Sequence, residues 1–226
     1  MPNNVTVIAI DGPAAAGKTV IGRELAHRLG FKYLDTGLMY RAVGWLARQG
    51  NMSLDDQSGL GTLARNARLH WEGQDFDQVM IGDQRLDREL RDPEVSHWAS
   101  VVATIPAVRR AMVMLQQSIA AEGSIVMVGR DIGTVVAPGA DLKIFMTASV
   151  EERARRRWRD LSSRLGREVD YQQVLQETRE RDLRDSTRRD SPLVPAEDAI
   201  TINTDDLSID QAVDAILQHL KLKAEK

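Results

Sequence analysis

Eight consecutive residues near the start of the chain carry the groups that bind phosphate: Gly12, Pro13, Ala14, Ala15, Ala16, Gly17, Lys18 and Thr19. They fit the pattern G-x-x-x-x-G-K-[ST] in full. In such a loop the backbone N–H groups point at an anion, and the following helix adds unpaired N–H groups of its own. Lys18 is expected to reach the phosphate oxygens and the Thr19 hydroxyl to meet Mg²⁺. The loop predicts ATP or GTP binding with Mg²⁺ and leaves the reaction open.

The segments on either side of this loop suit the motif. Residues 5–10 form a continuous apolar, mostly β-branched run, which is typical of a strand buried on both faces of a parallel sheet. Residues 18–29 have apolar side chains on one helical face, and Gly30 is suited to end that helix. Residues 31–34 have the composition of a second strand. Strand, loop, helix and strand in this order predict a βαβ unit.

Later runs continue the alternation and define the fold class. The further predicted strands are residues 125–128, 142–146 and 199–202. A helix is expected from about Pro106 to Ala121, and capping boxes at Ser149 and Ser208 are expected to open two more. We therefore predict an α/β protein, with a five-stranded parallel sheet flanked by helices.

Residues 62–98 do not follow this alternation. Two short strand-like runs, residues 69–72 and 78–81, are separated there by polar turns. At 226 residues the chain suits one domain with an insertion better than two full domains. We predict a single domain over residues 1–226, with an insertion at about 62–98.

Composition excludes several classes of protein. The chain has no cysteine, which removes disulfides, thiolate metal sites and cysteine nucleophiles, and its four histidines lack the spacing of metal ligands. The net charge of -3 gives no sign of a nucleic-acid surface. No apolar run has the length of a membrane span, and the first residues lack the features of a signal peptide. We expect a cytoplasmic monomer without nucleic-acid or membrane partners.

Two large classes of nucleotide-binding protein fit poorly. A GTPase would read guanine with N-K-x-D, but the stretch that begins at Asn203 has Thr204 in place of the lysine. A transporter ATPase would end a strand in an aspartate followed by glutamate. Here Asp131 follows Arg130, and isoleucine comes next. These differences favour an enzyme that acts on a small second substrate.

Polar groups at three predicted strand ends indicate what that substrate carries. Besides the phosphate loop, Asp35 and Thr36 follow the second strand, and Arg130 and Asp131 follow the third, with Arg41 about one turn into the next helix. Ligands of open α/β sheets bind beyond the carboxyl ends of the strands. Arginine presents a planar fork that matches phosphate oxygens. The sequence therefore predicts a phosphate-bearing acceptor beside the nucleotide.

At these positions the sequence resembles the bacterial cytidylate kinases, which are P-loop nucleoside monophosphate kinases. The matching stretches are residues 10–13 with the phosphate loop, 33–37 with 40–41, 129–136, and 181–188 followed by 192–194. They run through nearly the whole chain. The resemblance implies transfer of the γ-phosphoryl group of ATP to CMP or dCMP, with Mg²⁺, in pyrimidine nucleotide metabolism. It also implies that the insertion grips the monophosphate and that a mobile lid spans about 152–168.

The resemblance also implies roles for individual residues. Lys18, Arg130 and Arg188 would be catalytic, with Arg41, Arg130 and Arg188 on the acceptor phosphate. Ser100, Arg109 and Asp131 would read cytosine, Arg181 and Asp185 would bracket the ribose, and Thr36 would lie on the acceptor side. Residues 12–20 and the lid residue Arg157 would hold ATP, and Arg153 and Arg156 are further candidates for the lid. Val20 departs from the family, which usually has threonine there, so a second hydroxyl for the metal is in doubt. Trp45, Trp98 and Trp158 are expected to serve in packing.

Two alternatives stay open on the residues alone. One is a P-loop kinase that acts on another monophosphate, or on a metabolite such as shikimate. The other is a nucleotide-dependent switch or binding module that has no acceptor at all. The phosphate loop is common to all of these proteins, so only the acceptor can separate them.

Overall fold

The computed structural model describes residues 7–72 and 78–224, with a sheet of five parallel strands at its centre. These strands are β1 (Val7–Asp11), β2 (Lys32–Asp35), β6 (Ile125–Gly129), β7 (Leu142–Thr147) and β8 (Ile200–Asn203). Their spatial order is β2-β6-β1-β7-β8. The five predicted strands are confirmed. The first two residues of the first prediction, 5 and 6, lie outside the described residues.

The sheet is covered on both faces, and β6 illustrates why its strands are apolar throughout. Every residue of β6 is buried, and the side chains alternate between two hydrophobic clusters. Ile125 and Met127 lie in one cluster, and Val126 and Val128 lie in the other. A strand between two layers has no solvent face to carry polar residues, which explains the continuous apolar runs in the sequence.

Helices supply the two outer layers. One face of the sheet packs against α2 (Thr36–Gln49), α3 (Gln57–Asn66), α4 (Pro93–Val102) and α5 (Pro106–Ala120). The other packs against α1 (Lys18–Leu29) and α8 (Ile209–Ala224). The capping box predicted for α8 is present, because Ser208 and Gln211 each accept a hydrogen bond from the backbone N–H of the other. Trp45 and Trp98 pack against the first layer, as predicted.

A second, smaller sheet lies within the predicted insertion. Its antiparallel strands are β3 (Leu69–Glu72), β4 (Gln78–Ile81) and β5 (Gln84–Leu86). The sequence predicted the first two, but β5 has only three residues and gave no recognisable pattern. Val79 and Leu86 are buried in the same cluster as α2 and α3, so this sheet packs on the main core. The range 62–98 begins within α3 and ends within α4.

Two long helices form a hairpin: α6 (Val150–Leu165) and α7 (Tyr171–Thr187). The range predicted as a lid, 152–168, covers most of α6 and ends in the connection to α7. Trp158 holds the connection between them. Its indole nitrogen donates to the Val169 carbonyl at 2.7 Å, and its ring meets that of Tyr171 edge-on at 6.4 Å. Trp158 is thus a packing residue, as predicted.

Within the described part of the chain, no single helix combines the length and apolar character needed to cross a bilayer. The pair α4 and α5 passes that test of length and composition only when taken together, and the two helices are bent by 98° at their junction.

Candidate active site

The phosphate loop lies between β1 and α1, at the carboxyl end of the sheet. Gly12 has φ 146°, and a Cβ there would come within 2.0 Å of the Met146 carbonyl oxygen on β7. No side chain fits at that position, so the loop turns sharply against the neighbouring strand. Lys18 and Thr19 then open α1, where the first N–H groups of a helix have no acceptor within it. The loop thus has the geometry of an anion site, as predicted.

Lys18 is buried at the base of the loop, with 7% of its surface exposed. Its ammonium group donates to the Pro13 carbonyl at 2.6 Å. Burial lowers the pKa of Lys18 well below its ordinary value, and the nearby Arg130 guanidinium lowers it further. A buried ammonium group beside another cation is held against an electrostatic penalty that an anionic ligand would relieve.

The end of β2 contributes two side chains next to the loop. The Asp35 carboxylate accepts the Thr19 hydroxyl at 2.9 Å through one oxygen and the backbone N–H of Gly37 at 2.9 Å through the other. Thr36 is buried and donates to the Val128 carbonyl at 2.9 Å, which ties β2 to β6. Its hydroxyl oxygen keeps capacity to accept. Asp35 was expected at the strand end from the sequence but had no predicted role of its own.

A single cleft of about 460 Å³ brings the predicted residues together. Its lining includes all nine of the residues predicted for substrate: Thr36, Arg41, Ser100, Arg109, Arg130, Asp131, Arg181, Asp185 and Arg188. It also includes part of the ATP-binding set: Ala14, Ala15, Gly17, Lys18, Thr19, Val20 and Arg157. The clustering follows from the parallel register of β1 with β6, which places Asp11 beside Gly129 and so joins the two strand ends.

Cations dominate the middle of this cleft. Burial lowers the pKa of Arg181 to about 9, and the Arg130 charge acts in the same direction. Burial likewise lowers the pKa of Arg41, whose guanidinium donates to the Leu90 carbonyl at 2.7 Å and to Ser96 at 2.6 Å. Burial makes these charged guanidinium groups costly, and the neighbouring arginine charges add to that cost, which an anion would lower. This part of the cleft is therefore suited to phosphate groups.

Asp185 is the carboxylate embedded among these cations. It accepts from Arg130 at 2.9 Å. Burial acts to raise the pKa of Asp185, but the charges of Arg130 and Arg181 outweigh it and leave that pKa below its ordinary value. Asp185 thus stays ionised and holds Arg130 in position.

The far end of the cleft contains a buried ion pair. Arg109 on α5 pairs with Asp131 after β6, and both side chains are almost fully buried. Arg188 lies beside them, with its guanidinium 3.7 Å from the Asp131 carboxylate. Buried polar atoms of Ser100, Arg109 and Arg188 lack a hydrogen-bond partner among the described residues. Such atoms normally find one, so this end of the cleft is built for a polar ligand.

Arg188 lies next to the carboxylate of Asp131 and lines the same cleft as Arg41 and Arg130. The resemblance assigns these three arginines to the acceptor phosphate, and that role stays a prediction. Burial lowers the pKa of Arg188, and the Arg109 charge lowers it further. Arg188 directly follows the last residue of α7, so the end of that helix brings it into the cleft.

The three candidate lid arginines also separate. Arg157 lines the cleft. Arg153 is buried instead, forms a bidentate pair with Asp182 at 2.6 and 3.0 Å, and donates to the Ala148 carbonyl at 3.0 Å. Its guanidinium also donates to the Ala14 carbonyl of the phosphate loop at 3.4 Å, so Arg153 joins α6 to α7 and to the loop, and it does not line the cleft. Sequence alone did not identify this partner, because Asp182 is 29 residues away.

Arg156 makes a contact that sequence reasoning missed. It lines the cleft and donates to both the hydroxyl and the carbonyl of Thr204, at 3.1 and 2.6 Å. The Thr204 hydroxyl in turn donates to the Ala16 carbonyl of the phosphate loop at 3.1 Å. The end of β8 therefore supports the loop, and the polar stretch from Asn203 was the available signal for it.

Replacing Asp182 with alanine should destabilise the protein, because Arg153 would keep its charge in a buried position without its partner. Breaking a buried pair costs about 3–5 kcal/mol, and the partial exposure of Asp182 reduces this to about 2 kcal/mol. Chemical denaturation measures the change. Arg155→Ala, which removes an exposed pair with Glu152 on the same helix, should change stability by about 0.5 kcal/mol or less. Equal effects of the two variants would contradict this account of Arg153.

The parallel sheet, the loop after β1 and the arginines at the neighbouring strand ends together define a P-loop kinase. The fold is similar to that of a solved shikimate kinase from Bacteroides thetaiotaomicron, with a TM-score of 0.51 over 96% of this chain and 98% of that chain, at 12% sequence identity. At this level of identity the likeness shows the fold alone.

Sequence comparison identifies the family. Residues 8–222 match the family model described as cytidylate kinase. The chain is 44% identical over 216 residues to the cytidylate kinase of Listeria monocytogenes serotype 4a, covering 96% of each chain. It is 45% identical over 212 residues to that of Carboxydothermus hydrogenoformans, covering 93% of this chain and 95% of the relative. The chain belongs to the cytidylate kinase family, as its motifs predicted.

Proposed function

We propose that the protein transfers the γ-phosphoryl group of ATP to CMP or dCMP, giving ADP and CDP or dCDP. The observation that carries this proposal is the buried pair of Arg109 and Asp131, with Ser100 beside it, in the same cleft as the phosphate loop and the arginines. A nucleoside monophosphate needs one site for its nucleobase and another for its phosphate group. The family membership of the chain points to the same reaction.

The loop residues 12–20 would hold the phosphates of ATP, with Lys18 on the oxygens that gain charge during transfer. Arg157 would approach the same phosphates from α6. Arg156 would lie beside the nucleoside part of ATP. Thr204 holds the edge of its guanidinium group, and the planar face of that group is suited to stack on the base. This assignment supports ATP as the donor and does not depend on the acceptor.

Thr19 and Asp35 fit a Mg²⁺ ion. The hydroxyl and the carboxylate lie within 2.9 Å of each other at the mouth of the loop, and both are hard oxygen groups of the kind that Mg²⁺ takes. Thr19 would hold the ion directly, and Asp35 would hold it directly or through water. When bound, Mg²⁺ neutralises charge on the donor phosphates. Mg²⁺ usually has only one or two protein ligands and keeps several waters, so this small set suffices.

The acceptor phosphate would lie among Arg41, Arg130 and Arg188, with Arg181 beside the ribose, between the donor phosphates and the base end. These cations would bring two anions together and align an acceptor oxygen with the γ-phosphorus. The acceptor oxygens are already anionic at neutral pH, so the chemistry needs no general base. Asp185, held by Arg130, is placed to accept from a ribose hydroxyl.

The base end would separate cytosine from uracil by hydrogen-bond polarity. The exocyclic amine of cytosine can donate to the Asp131 carboxylate, and Arg109 and Ser100 can complete the edge of the ring. Uracil has a carbonyl oxygen in place of that amine, which would face a carboxylate. A site built to pair buried polar groups rejects a mismatched analogue strongly.

Further parts of the proposal concern the whole chain. Residues 1–226 would act as one P-loop kinase domain, in which the insertion at about 62–98 closes on the monophosphate and the lid at about 152–168 closes on ATP. We propose that it acts as a monomer. It would act in pyrimidine nucleotide metabolism in the cytoplasm, without a nucleic-acid or membrane partner.

A coupled ADP-release assay with a panel of acceptors tests the proposal. ATP and Mg²⁺ are supplied with CMP, dCMP, UMP, AMP or shikimate, and each rate is compared with that of ATP alone. We expect turnover with CMP or dCMP well above that of the other acceptors. Turnover only with AMP or shikimate would refute the proposal, and so would ADP release that is independent of any acceptor.

A further inference from the structure

Asp11 is a buried carboxylate that none of the roles above uses. It is the last residue of β1, directly before the phosphate loop, with 5% of its surface exposed. One carboxylate oxygen accepts the backbone N–H of Ile132 at 2.8 Å, and the other accepts that of Gly133 at 2.7 Å. Asp11 thus reaches across from the donor side to the segment that follows Asp131.

The segment held by Asp11 is a single π-helical turn, Ile132–Val136. The first N–H groups of a helical turn have no acceptor within it and are usually capped by the preceding residue. That residue is Asp131, yet its side chain makes no capping hydrogen bond. The Asp131 carboxylate is paired with Arg109 instead.

Other helices of this protein show which N–H group an aspartate at this position commonly caps. At three helix starts the aspartate accepts the N–H two residues further on, in the pairs Asp35 with Gly37, Asp92 with Glu94, and Asp170 with Gln172. The equivalent N–H for Asp131 is that of Gly133, and Asp11 already occupies it.

We propose that Asp11 is a positioning residue for base recognition. By capping the turn from the neighbouring strand, it leaves the Asp131 carboxylate to face the base end of the cleft. This inference rests on the proposed function, in which Asp131 reads cytosine. Without Asp11 the N–H of Gly133 would be free, and Asp131 stands at the cap position from which other aspartates of this protein accept the N–H two residues on. Turning toward that N–H would remove the Asp131 carboxylate from Arg109.

Two further observations agree with a specialised role. A Cβ on residue 133 would lie 3.2 Å from the Lys143 side chain and 3.4 Å from the Asp11 carboxylate, so glycine allows the close approach. Burial raises the pKa of Asp11 to about 6, although its two backbone hydrogen bonds act in the opposite direction. A raised pKa means that holding the charged carboxylate in this buried position costs free energy, so Asp11 does not serve to strengthen the fold.

Asp11→Asn tests the inference, because the amide keeps the shape and one acceptor but turns a donor toward the second N–H. Binding of CMP, UMP and a non-hydrolysable ATP analogue is measured by calorimetry. We expect CMP affinity to fall by roughly 10–100-fold, the CMP to UMP preference to shrink, and ATP-analogue affinity to stay within about threefold. Asp141→Asn is the matched control, since that carboxylate also accepts an N–H of β1, at the opposite end of the strand, and should change none of these values.

Three outcomes are decisive. If the wild-type protein binds no CMP, the proposed function fails. If it binds CMP and Asp11→Asn keeps the wild-type CMP affinity and preference, the positioning role is refuted. If CMP and the ATP analogue weaken together, Asp11 acts on the phosphate loop and the inference is again refuted. Should Asp11→Asn not fold, Asp11→Ser, which leaves a single short acceptor, is measured in the same way.

Discussion

Lys18→Ala should reduce phosphoryl transfer by at least about 10³-fold, the upper end of what one preorganised charge-stabilising group contributes. Lys18 is the buried cation at the base of the phosphate loop, and no other lysine lines the cleft among the described residues. Its charge would lie on the donor phosphate oxygens, where negative charge is redistributed as the γ-phosphoryl group moves. A neutral methyl group cannot replace that interaction.

The fold should survive this substitution. Burial lowers the pKa of Lys18, which means that its buried charge destabilises the folded protein, so removing that charge should not weaken the fold. Circular dichroism and steady-state rates on the same preparation separate the two effects. Lys143→Met is the matched control: Lys143 is also a buried lysine, on β7, and pairs with Asp198 away from the cleft. It should retain near wild-type kcat. A Lys18→Ala rate within tenfold of wild type would contradict the assigned role.

Asp131→Asn should remove most of the discrimination between CMP and UMP, by up to roughly 10⁴-fold in the ratio of kcat/KM values. The carboxylate only accepts hydrogen bonds, which suits the amine of cytosine. An asparagine amide can also donate to the carbonyl that uracil has in the same place. The substitution leaves the size of the side chain unchanged but removes the negative charge opposite Arg109.

The measurement is kcat/KM for both acceptors with saturating ATP. Asp185→Asn provides the comparison, since Asp185 is assigned to the ribose, which CMP and UMP share. That variant should lower both kcat/KM values together and leave their ratio near that of the wild type. An unchanged CMP to UMP ratio in Asp131→Asn would show that Asp131 does not read the base.

The features that were predicted correctly from the sequence each lie in a run of contiguous residues. The phosphate loop and the strand before it are local, and a strand buried on both faces must be apolar along its length. The five strands were therefore found, along with the polar groups at their ends. The three-residue strand β5 was not, because so short a segment has no period to detect.

The features that could not be predicted depend on contacts between segments that are distant in the sequence. Arg153, Arg156 and Arg157 lie on one turn of α6, and only the packing of α7 and β8 decides that the first pairs with Asp182, the second with Thr204, and the third with neither. Helical spacing alone cannot predict which partner each of these three arginines takes. The capping of the turn after Asp131 by Asp11 spans 121 residues and has no local signal for the same reason.

The central claim is that this chain moves a phosphoryl group between two nucleotides, and labelled ATP tests it most directly. The protein is incubated with Mg²⁺, CMP and ATP that carries ³²P at the γ position, and the labelled products are separated by chromatography. We predict that the label appears in CDP, in an amount equal to the ADP formed, and that labelling occurs only when CMP is present. Label released as inorganic phosphate, with none in CDP, would contradict it.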